Sequence, residues 1–338
     1  MALYDVPAPA KLNLFLHVIG RRHDGYHELQ TVFRYIDLCD RFDFDLRRDG
    51  IVQREGDTLP GLAPEQDLVV RAARALQQAT GTPLGAQIRY AKNIPSGAGL
   101  GGGSSDAATT LIALNRLRST GLDRQSLMRI GRTLGADVPI FIFGRPAFAE
   151  GIGDVFTEVA LPECTYLVLR PHGAVSTEQV FSHPDLTRNT ESVIISVFAH
   201  WLTARAQKRT ELDGPQSGSL QSGNYQLSAV YGNELFGRND LESVVLAEHQ
   251  GVRDLANALR NQKFHARMTG SGNCFFVEYD TYEQAYRARR RISSKMLDRR
   301  HESSAGIEKC RVLHEGVEAV VEDMWVCPGL SEHPLRHW

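Results

Sequence analysis

The stretch that most constrains this chain is Pro95-Ser-Gly-Ala-Gly-Leu-Gly-Gly-Gly-Ser-Ser-Asp106, which leads directly into apolar residues at helical spacing, Ala108, Leu111, Ile112 and Leu114. Glycine lets a backbone turn tightly and come close to a ligand. The apolar spacing predicts a helix from Ser105 to about Leu117. Unpaired N–H groups in such a loop and in the first helical turn converge on one spot. The helix dipole adds positive potential there. The product is a cradle for phosphate. Ser104 and Ser105 add hydroxyl donors, or stand near a phosphate-bound Mg²⁺.

Two other glycine patterns fit less well. Gly97 to Gly102 formally satisfies G-x-G-x-x-G, and Asp123 lies about 20 residues on, as a dinucleotide fingerprint asks. However, Ile94-Pro95-Ser96 separates the glycines from the preceding strand, and no βαβαβ series follows. A P-loop needs a Lys after its glycines, and none is present. A mere flexible linker would not run unbroken into an amphipathic helix.

At 338 residues the chain is long enough for two domains. Lys plus Arg is 38 and Asp plus Glu is 40, for a formal net charge of −2. That gives no global attraction to nucleic acid or anionic lipid. The five cysteines, Cys39, Cys164, Cys274, Cys310 and Cys327, are scattered with no CxxC pair. They read as reduced thiols in a reducing compartment. Metal-ligand spacing is absent. No run of about 18 apolar residues spans a membrane, and Met1 to Ala10 lacks the pattern of a secretory signal. The expectation is a cytoplasmic protein.

Along the chain, Leu12, Leu14, Leu16 and Val18 alternate with Lys11, Asn13, Phe15 and His17. This predicts a half-buried strand carrying Lys11 and Asn13 on its non-core face. Gly20 to Gly25 is a turn, with a second strand from near Tyr26, and Ile36 to Leu46 alternates again. Helices are predicted over 67–80, stopping at Gly81, and over 124–134, stopping at Gly135. A short strand is expected over 86–91. Leu161-Pro162 marks a boundary, giving domains 1–162 and 163–338. Residues 208–232, rich in Gly, Ser and Asn, read as a flexible insertion. Helices follow over 233–251 and 252–262. Strand, turn and strand are expected over 266–279, then a basic helix over 281–296 and a closing strand over 317–322. The second half reads as a split βαβ, ferredoxin-like layer.

The segment 95–108 resembles the second motif of the GHMP kinases, the superfamily of galactokinase, homoserine kinase, mevalonate kinase and phosphomevalonate kinase. Ala8-Pro-Ala-Lys-Leu-Asn-Leu-Phe-Leu16 and Arg22-His-Asp-Gly-Tyr-His-Glu-Leu-Gln-Thr31 narrow the likeness to one family, the 4-diphosphocytidyl-2-C-methyl-D-erythritol kinases. Gly135-Ala-Asp-Val-Pro139 and Phe148-Ala-Glu-Gly-Ile-Gly153 fit the same family. Thr269-Gly-Ser-Gly-Asn-Cys274 resembles the third superfamily motif, and His333-Pro-Leu335 the family's C-terminal end. The likeness spans nearly the whole chain and is weakest from 200 to 235.

The resemblance implies an α+β fold of two domains: an N-terminal ribosomal-protein-like α/β domain and a C-terminal ferredoxin-like domain, with the active site in the cleft between them. It implies phosphoryl transfer from ATP, with Mg²⁺ arriving alongside, to the 2-hydroxyl of 4-diphosphocytidyl-2-C-methyl-D-erythritol. Such a protein works on a small molecule, not on nucleic acid or membrane. The ATP loop would be Pro95, Ser96, Gly97, Ala98, Gly99, Leu100, Gly101, Gly102, Gly103, Ser104 and Ser105. Asp137 would accept the hydroxyl proton and Lys11 would stabilise the transferring charge. Asn13 would position the acceptor. Tyr26 and His27 would hold the cytosine by stacking and an edge hydrogen bond, with Thr177 and Phe181 as further substrate contacts. Asp67-Leu68 falls where members commonly carry Asn-Leu near the adenine; an Asp there lacks the amide donor. Taken alone, Asp137 also suits a turn or helix cap, Lys11 an exposed strand position, and Tyr26 and Phe181 the core. Two other readings remain: a homoserine or mevalonate kinase, whose acceptor offers no base to stack on, and an RNA-binding module using Arg287 to Arg291.

Overall fold

The computed structural model describes residues 1–55, 63, 65–199, 202, 236–302 and 320–338. The expected insertion over 208–232 lies outside the described residues, as do residues 303–312 and Cys310. The other four cysteines are buried thiols.

The molecule is organised around two long antiparallel strands, β1 (Ala2–Arg21) and β2 (His27–Arg47). Their connection is built by Asp24, whose carboxylate accepts from the Tyr26 N–H at 3.1 Å and from Arg22 Nε at 3.1 Å. At 21 residues, β2 is long enough to serve several neighbours in succession. Its C-terminal half pairs with β4 (Gly85–Ala91), beside which β3 (Val52–Arg54) runs parallel. Its N-terminal part pairs with β5 (Ala147–Glu150), which in turn pairs with β6 (Val155–Glu158). Between these, Tyr35 and Ile36 meet Leu330 and Gly329 of β10 (Val321–Leu330).

The rest of β10 pairs with β7 (Thr165–Pro171), followed by β9 (Phe275–Tyr279) and β8 (Arg267–Met268). The sheet order is thus β3-β4-β2-β10-β7-β9-β8, and β10 is the strand that joins its two halves.

Helices α1 (Leu68–Thr80), α2 (Gly102–Leu117), α3 (Arg124–Leu134) and α4 (Val138–Phe143) form the first helical layer. Asp67 caps α1 by accepting from the Val69 N–H, and Asp123 caps α3 by accepting from the Ser126 N–H. Helix α2 is buried on most of its surface, which explains its run of Ala, Thr, Leu and Ile without a polar face. It packs with Phe42, Phe44, Leu76 and Ile88 in one core. The second half carries α5 (Thr177–Ser182), α6 (Glu242–Glu248), α7 (Gln250–Asn261) and α8 (Tyr282–Glu302). Leu255, Leu259, Leu167 and Phe275 form its core. No helix among the described residues is long and apolar enough to cross a membrane.

Three sequence expectations change. The strand at 11–18 is not half-buried. Lys11, Asn13, Phe15 and His17 are as buried as the residues between them. The second half of the chain covers that face: Arg267 donates to the Leu14 carbonyl, and Leu16 bonds to Arg238 and Asp240. Helix α2 begins at Gly102 rather than Ser105, because Gly101 already supplies the left-handed residue that ends the loop. The closing strand, expected over 317–322, runs on to Leu330 from Val321; residues 317–319 lie outside the described residues. Its pairing with β7 and β2 favours the longer segment, which local alternation does not reveal.

Candidate active site

A cleft of about 920 Å³ opens where β1, the 95–103 loop, the turn after β1, α5 and the turn at Gly270 meet. Lys11, Asn13, Tyr26, His27, Asp137, Thr177 and Phe181 all line it, as do Pro95 to Ser104. Ser105 does not; its side chain is fully buried within the helical layer.

The loop is tethered from both ends. Asp40 on β2 accepts from the N–H groups of Asn93 at 2.6 Å and Ile94 at 2.8 Å, fixing the approach from β4. The Lys92 ammonium lies between Asp40 and Asp106, 2.6 Å from the latter. Burial disfavours that ammonium, but the two carboxylates outweigh it and hold its pKa up. Burial pushes the Asp106 carboxyl well above the usual range. Further along, the Leu100 carbonyl accepts from the Lys11 N–H at 2.9 Å.

Gly99 and Gly101 have positive φ, 76° and 73°. A Cβ on Gly99 would strike the Thr269 carbonyl, and one on Gly101 would press on Phe141 and the Lys11 stem. Glycine is therefore required at both by space as well as by conformation. The N–H groups of Gly102, Gly103 and Ser104 open α2 without intrahelical acceptors, an arrangement able to receive an anion.

Lys11 Nζ sits 3.3 Å from Asp137 Oδ2 and 2.5 Å from Asn13 Oδ1. The Lys11 side chain is 4% exposed and that of Asp137 is 38% exposed. The pair therefore has a buried cation and a carboxylate open to the cleft. Asn13 is itself held: its Nδ2 donates to Thr31 Oγ1 at 2.9 Å, and its N–H donates to Thr269 Oγ1 at 2.8 Å. Asp137 precedes α4 and makes no side-chain cap bond there, which leaves its carboxylate available for chemistry. The period of β1 sets Lys11 beside Asn13; strand pairing and loop packing bring Thr31, Asp137 and Thr269 to them.

At the far end, Tyr26 is exposed at the mouth and His27 is buried. The His27 and Phe181 rings lie 5.2 Å apart at 35°. Burial, and then the charges of Arg188 and Arg21, hold the His27 imidazole below its usual pKa. Thr177 Oγ1 is 2.6 Å from Ser271 Oγ, which ties α5 to the Gly270 turn.

Asp67 also lines the cleft, but its carboxylate is committed elsewhere. It accepts from Arg54 at 2.9 Å, from the Tyr90 hydroxyl at 2.6 Å and from the Val69 N–H at 2.9 Å. Sequence reasoning missed Asp40, Lys92 and Arg188. Each is a charged residue with at least one partner distant in sequence: Asp40 with Asn93, Lys92 with Asp40, Arg188 with His27. Among the described residues no group of three or more His, Cys, Asp and Glu side chains forms a metal site.

Comparison with known proteins places this geometry in context. Residues 67–145 match the family GHMP kinases N terminal domain, and residues 230–298 match GHMP kinases C terminal. The 4-diphosphocytidyl-2-C-methyl-D-erythritol kinase of Bordetella parapertussis is 49% identical over 338 residues, covering 100% of this chain and 99% of that one. The kinase of the same name from Cupriavidus necator is 50% identical over 277 residues, 82% of this chain and 85% of that one. A crystal structure of 4-(cytidine 5'-diphospho)-2C-methyl-D-erythritol kinase superposes with a TM-score of 0.68 at 29% identity, covering 97% of this chain and 99% of that one. A homoserine kinase structure from Cytophaga hutchinsonii shares the fold at 16% identity, with a TM-score of 0.58 over 98% of this chain and 95% of that one.

Proposed function

This chain belongs to the 4-diphosphocytidyl-2-C-methyl-D-erythritol kinases, within the GHMP kinases, and on that premise we propose that it transfers the γ-phosphoryl group of ATP to the 2-hydroxyl of 4-diphosphocytidyl-2-C-methyl-D-erythritol. ATP is the co-substrate of this kinase family. The reaction is a step of the non-mevalonate route to isoprenoid precursors. The observation that carries the reading is the Lys11–Asp137 pair, 3.3 Å apart, in one cleft with the glycine loop and the His27–Phe181 rings.

Phosphoryl transfer asks mainly for alignment and charge stabilisation. The acceptor oxygen forms a bond to the γ-phosphorus as the bond to the β–γ bridging oxygen breaks and ADP departs. Asp137 takes the hydroxyl proton. The Lys11 ammonium stabilises the negative charge shared by the acceptor and the transferring oxygens. Asn13 orients Lys11 through its carbonyl and keeps one amide hydrogen for the acceptor. The loop and the start of α2 bind the phosphates. Mg²⁺ would arrive with ATP, held mostly by phosphate and water, with the Ser104 hydroxyl as a hard oxygen lining the cleft, and it would neutralise phosphate charge. Tyr26 and Phe181 offer aromatic faces to the base, and His27 a hydrogen bond to its edge. Thr177 adds a hydroxyl beside them. A homoserine or mevalonate acceptor would leave this aromatic end without a partner. We also propose a cytoplasmic location, in keeping with four buried thiols.

The test is ADP release by purified protein with Mg-ATP and, separately, the cytidylylated diol, mevalonate and homoserine. Turnover is expected with the first alone; comparable turnover with either of the others overturns the reading. Asp137→Asn should lower kcat by about 10²–10⁴-fold with little change in ATP affinity.

A further inference from the structure

We propose that Arg188 is a positioning residue that fixes the His27 proton on Nδ1 and holds the backbone around Phe181, so that the cleft accepts a base with an unprotonated ring nitrogen, cytosine, over uracil. The inference rests on the kinase reading above and deepens it.

Arg188 Nε lies 3.0 Å from His27 Nε2. A guanidinium only donates, so Nε2 is the acceptor and the neutral ring carries its hydrogen on Nδ1. Nδ1 has no partner among the described residues, and His27 lines the cleft. The Nδ1–H is therefore the group the imidazole offers to a ligand. Burial and the neighbouring cations keep the ring neutral, so Nε2 stays an acceptor.

The same guanidinium also binds the end of α5 and the chain after it. Nη1 donates to the carbonyls of Pro184 at 3.3 Å and Leu186 at 3.0 Å. Nη2 donates to those of Phe181 at 3.1 Å and His183 at 2.7 Å. One side chain thereby sets both the tautomer of His27 and the position of the ring packed beside it.

The consequence for base choice is chemical. N3 of cytosine is an acceptor and pairs with an Nδ1–H. N3 of uracil carries a hydrogen, so two donors would face each other with neither satisfied. Leaving buried partners unpaired is what gives polar sites their selectivity.

The experiment is ¹⁵N NMR of the full-length protein labelled at histidine, without ligand, with wild type compared with Arg188→Gln and Arg188→Lys. His27 in the wild type should show a protonated Nδ1 and a bare Nε2, and Arg188→Gln should shift the population toward Nε2–H. A wild-type ring protonated on Nε2, or a tautomer unchanged in a folded Arg188→Gln protein, overturns the proposal. The wild-type spectrum decides even if the variants do not fold.

A second measurement compares kcat/KM for the cytidylylated diol and its uridylylated counterpart. Wild type should favour the former by about 10–100-fold, the range expected for one unsatisfied pair. Arg188→Lys should narrow that ratio mainly through KM. Equal use of both nucleotides by the wild type overturns the base selection. Absence of turnover with either defeats the kinase reading, while the tautomer result still decides the role of Arg188.

Discussion

Lys11 is fixed at every level of its side chain. Its N–H is bonded to Leu100, its stem lies under Gly101, and its ammonium is shared by Asn13 and Asp137. Lys11→Met keeps most of the shape and removes the charge, so kcat should fall by about 10²–10³-fold. Lys11→Arg should not restore it, because a planar fork needs room that Gly101 and Phe141 do not leave. Steady-state kinetics would check both; activity of Lys11→Met within tenfold of wild type would remove Lys11 from the mechanism. Asp67 illustrates how a residue's role escapes the sequence. Its position before α1 is legible as a cap. Its pairing with Arg54 and Tyr90, 13 and 23 residues away, is not. Asp67→Asn keeps the cap but removes the carboxylate from the buried Arg54 side chain, 5% exposed. The expected loss of stability is about 2–4 kcal/mol in urea unfolding. An unchanged midpoint would mean that the ion pair contributes nothing net.

At the scale of elements, the site depends on one loop lying against one turn. The 269–274 turn, between β8 and β9, reaches the glycine loop so closely that a Cβ on either Gly99 or Gly272 would collide with the other segment's backbone. The turn is held in place by Asn239, whose amide donates to the carbonyls of Met268 at 3.1 Å and Gly270 at 2.8 Å. Gly99→Ala should therefore displace the phosphate cradle without disturbing α2 and raise KM for ATP at least about tenfold. Nucleotide titration of the folded variant would read this directly, and wild-type affinity would show that the contact is dispensable. The loop and the helix after it were legible because their signal is local: glycines, serines and a helical period in one stretch of chain. The loop's contact with the 269–274 turn was not, since it joins segments about 170 residues apart through bare backbone and leaves no periodic mark. The burial of Lys11 and Asn13 was hidden for a related reason. Alternation along β1 reports one face, and only the packing of Arg267 and the 238–240 segment reveals the cover on the other.

The two halves of the molecule are joined by β10 and by the tail that follows it. After Leu330 the chain turns back over α4. The His333 N–H donates to Gly144, its ring packs edge-on against Tyr35, and Leu335 enters the first core. Arg124 ties the same tail down, donating to the carbonyls of Ile142 at 2.5 Å and Leu335 at 2.7 Å. His333 Nδ1 accepts from the Leu335 N–H at 3.1 Å. Burial, and then the Arg124 charge, push its pKa down to about 3 from an ordinary 6.5. Between those values the unfolded chain binds a proton that the folded chain refuses. The stability held by neutral His333 is thus complete above pH 6.5 and falls by about 1.4 kcal/mol per unit as the pH drops toward 3. His333→Asn retains an acceptor for the Leu335 N–H and removes the titration. Its urea-unfolding free energy should be lower at pH 7 but decline less steeply between pH 6 and pH 4, by about one proton. Parallel slopes for variant and wild type would exclude His333 as the acid-sensitive point. The tail meets α4 at its C-terminal end, Gly144, while Asp137 stands at its N-terminal end.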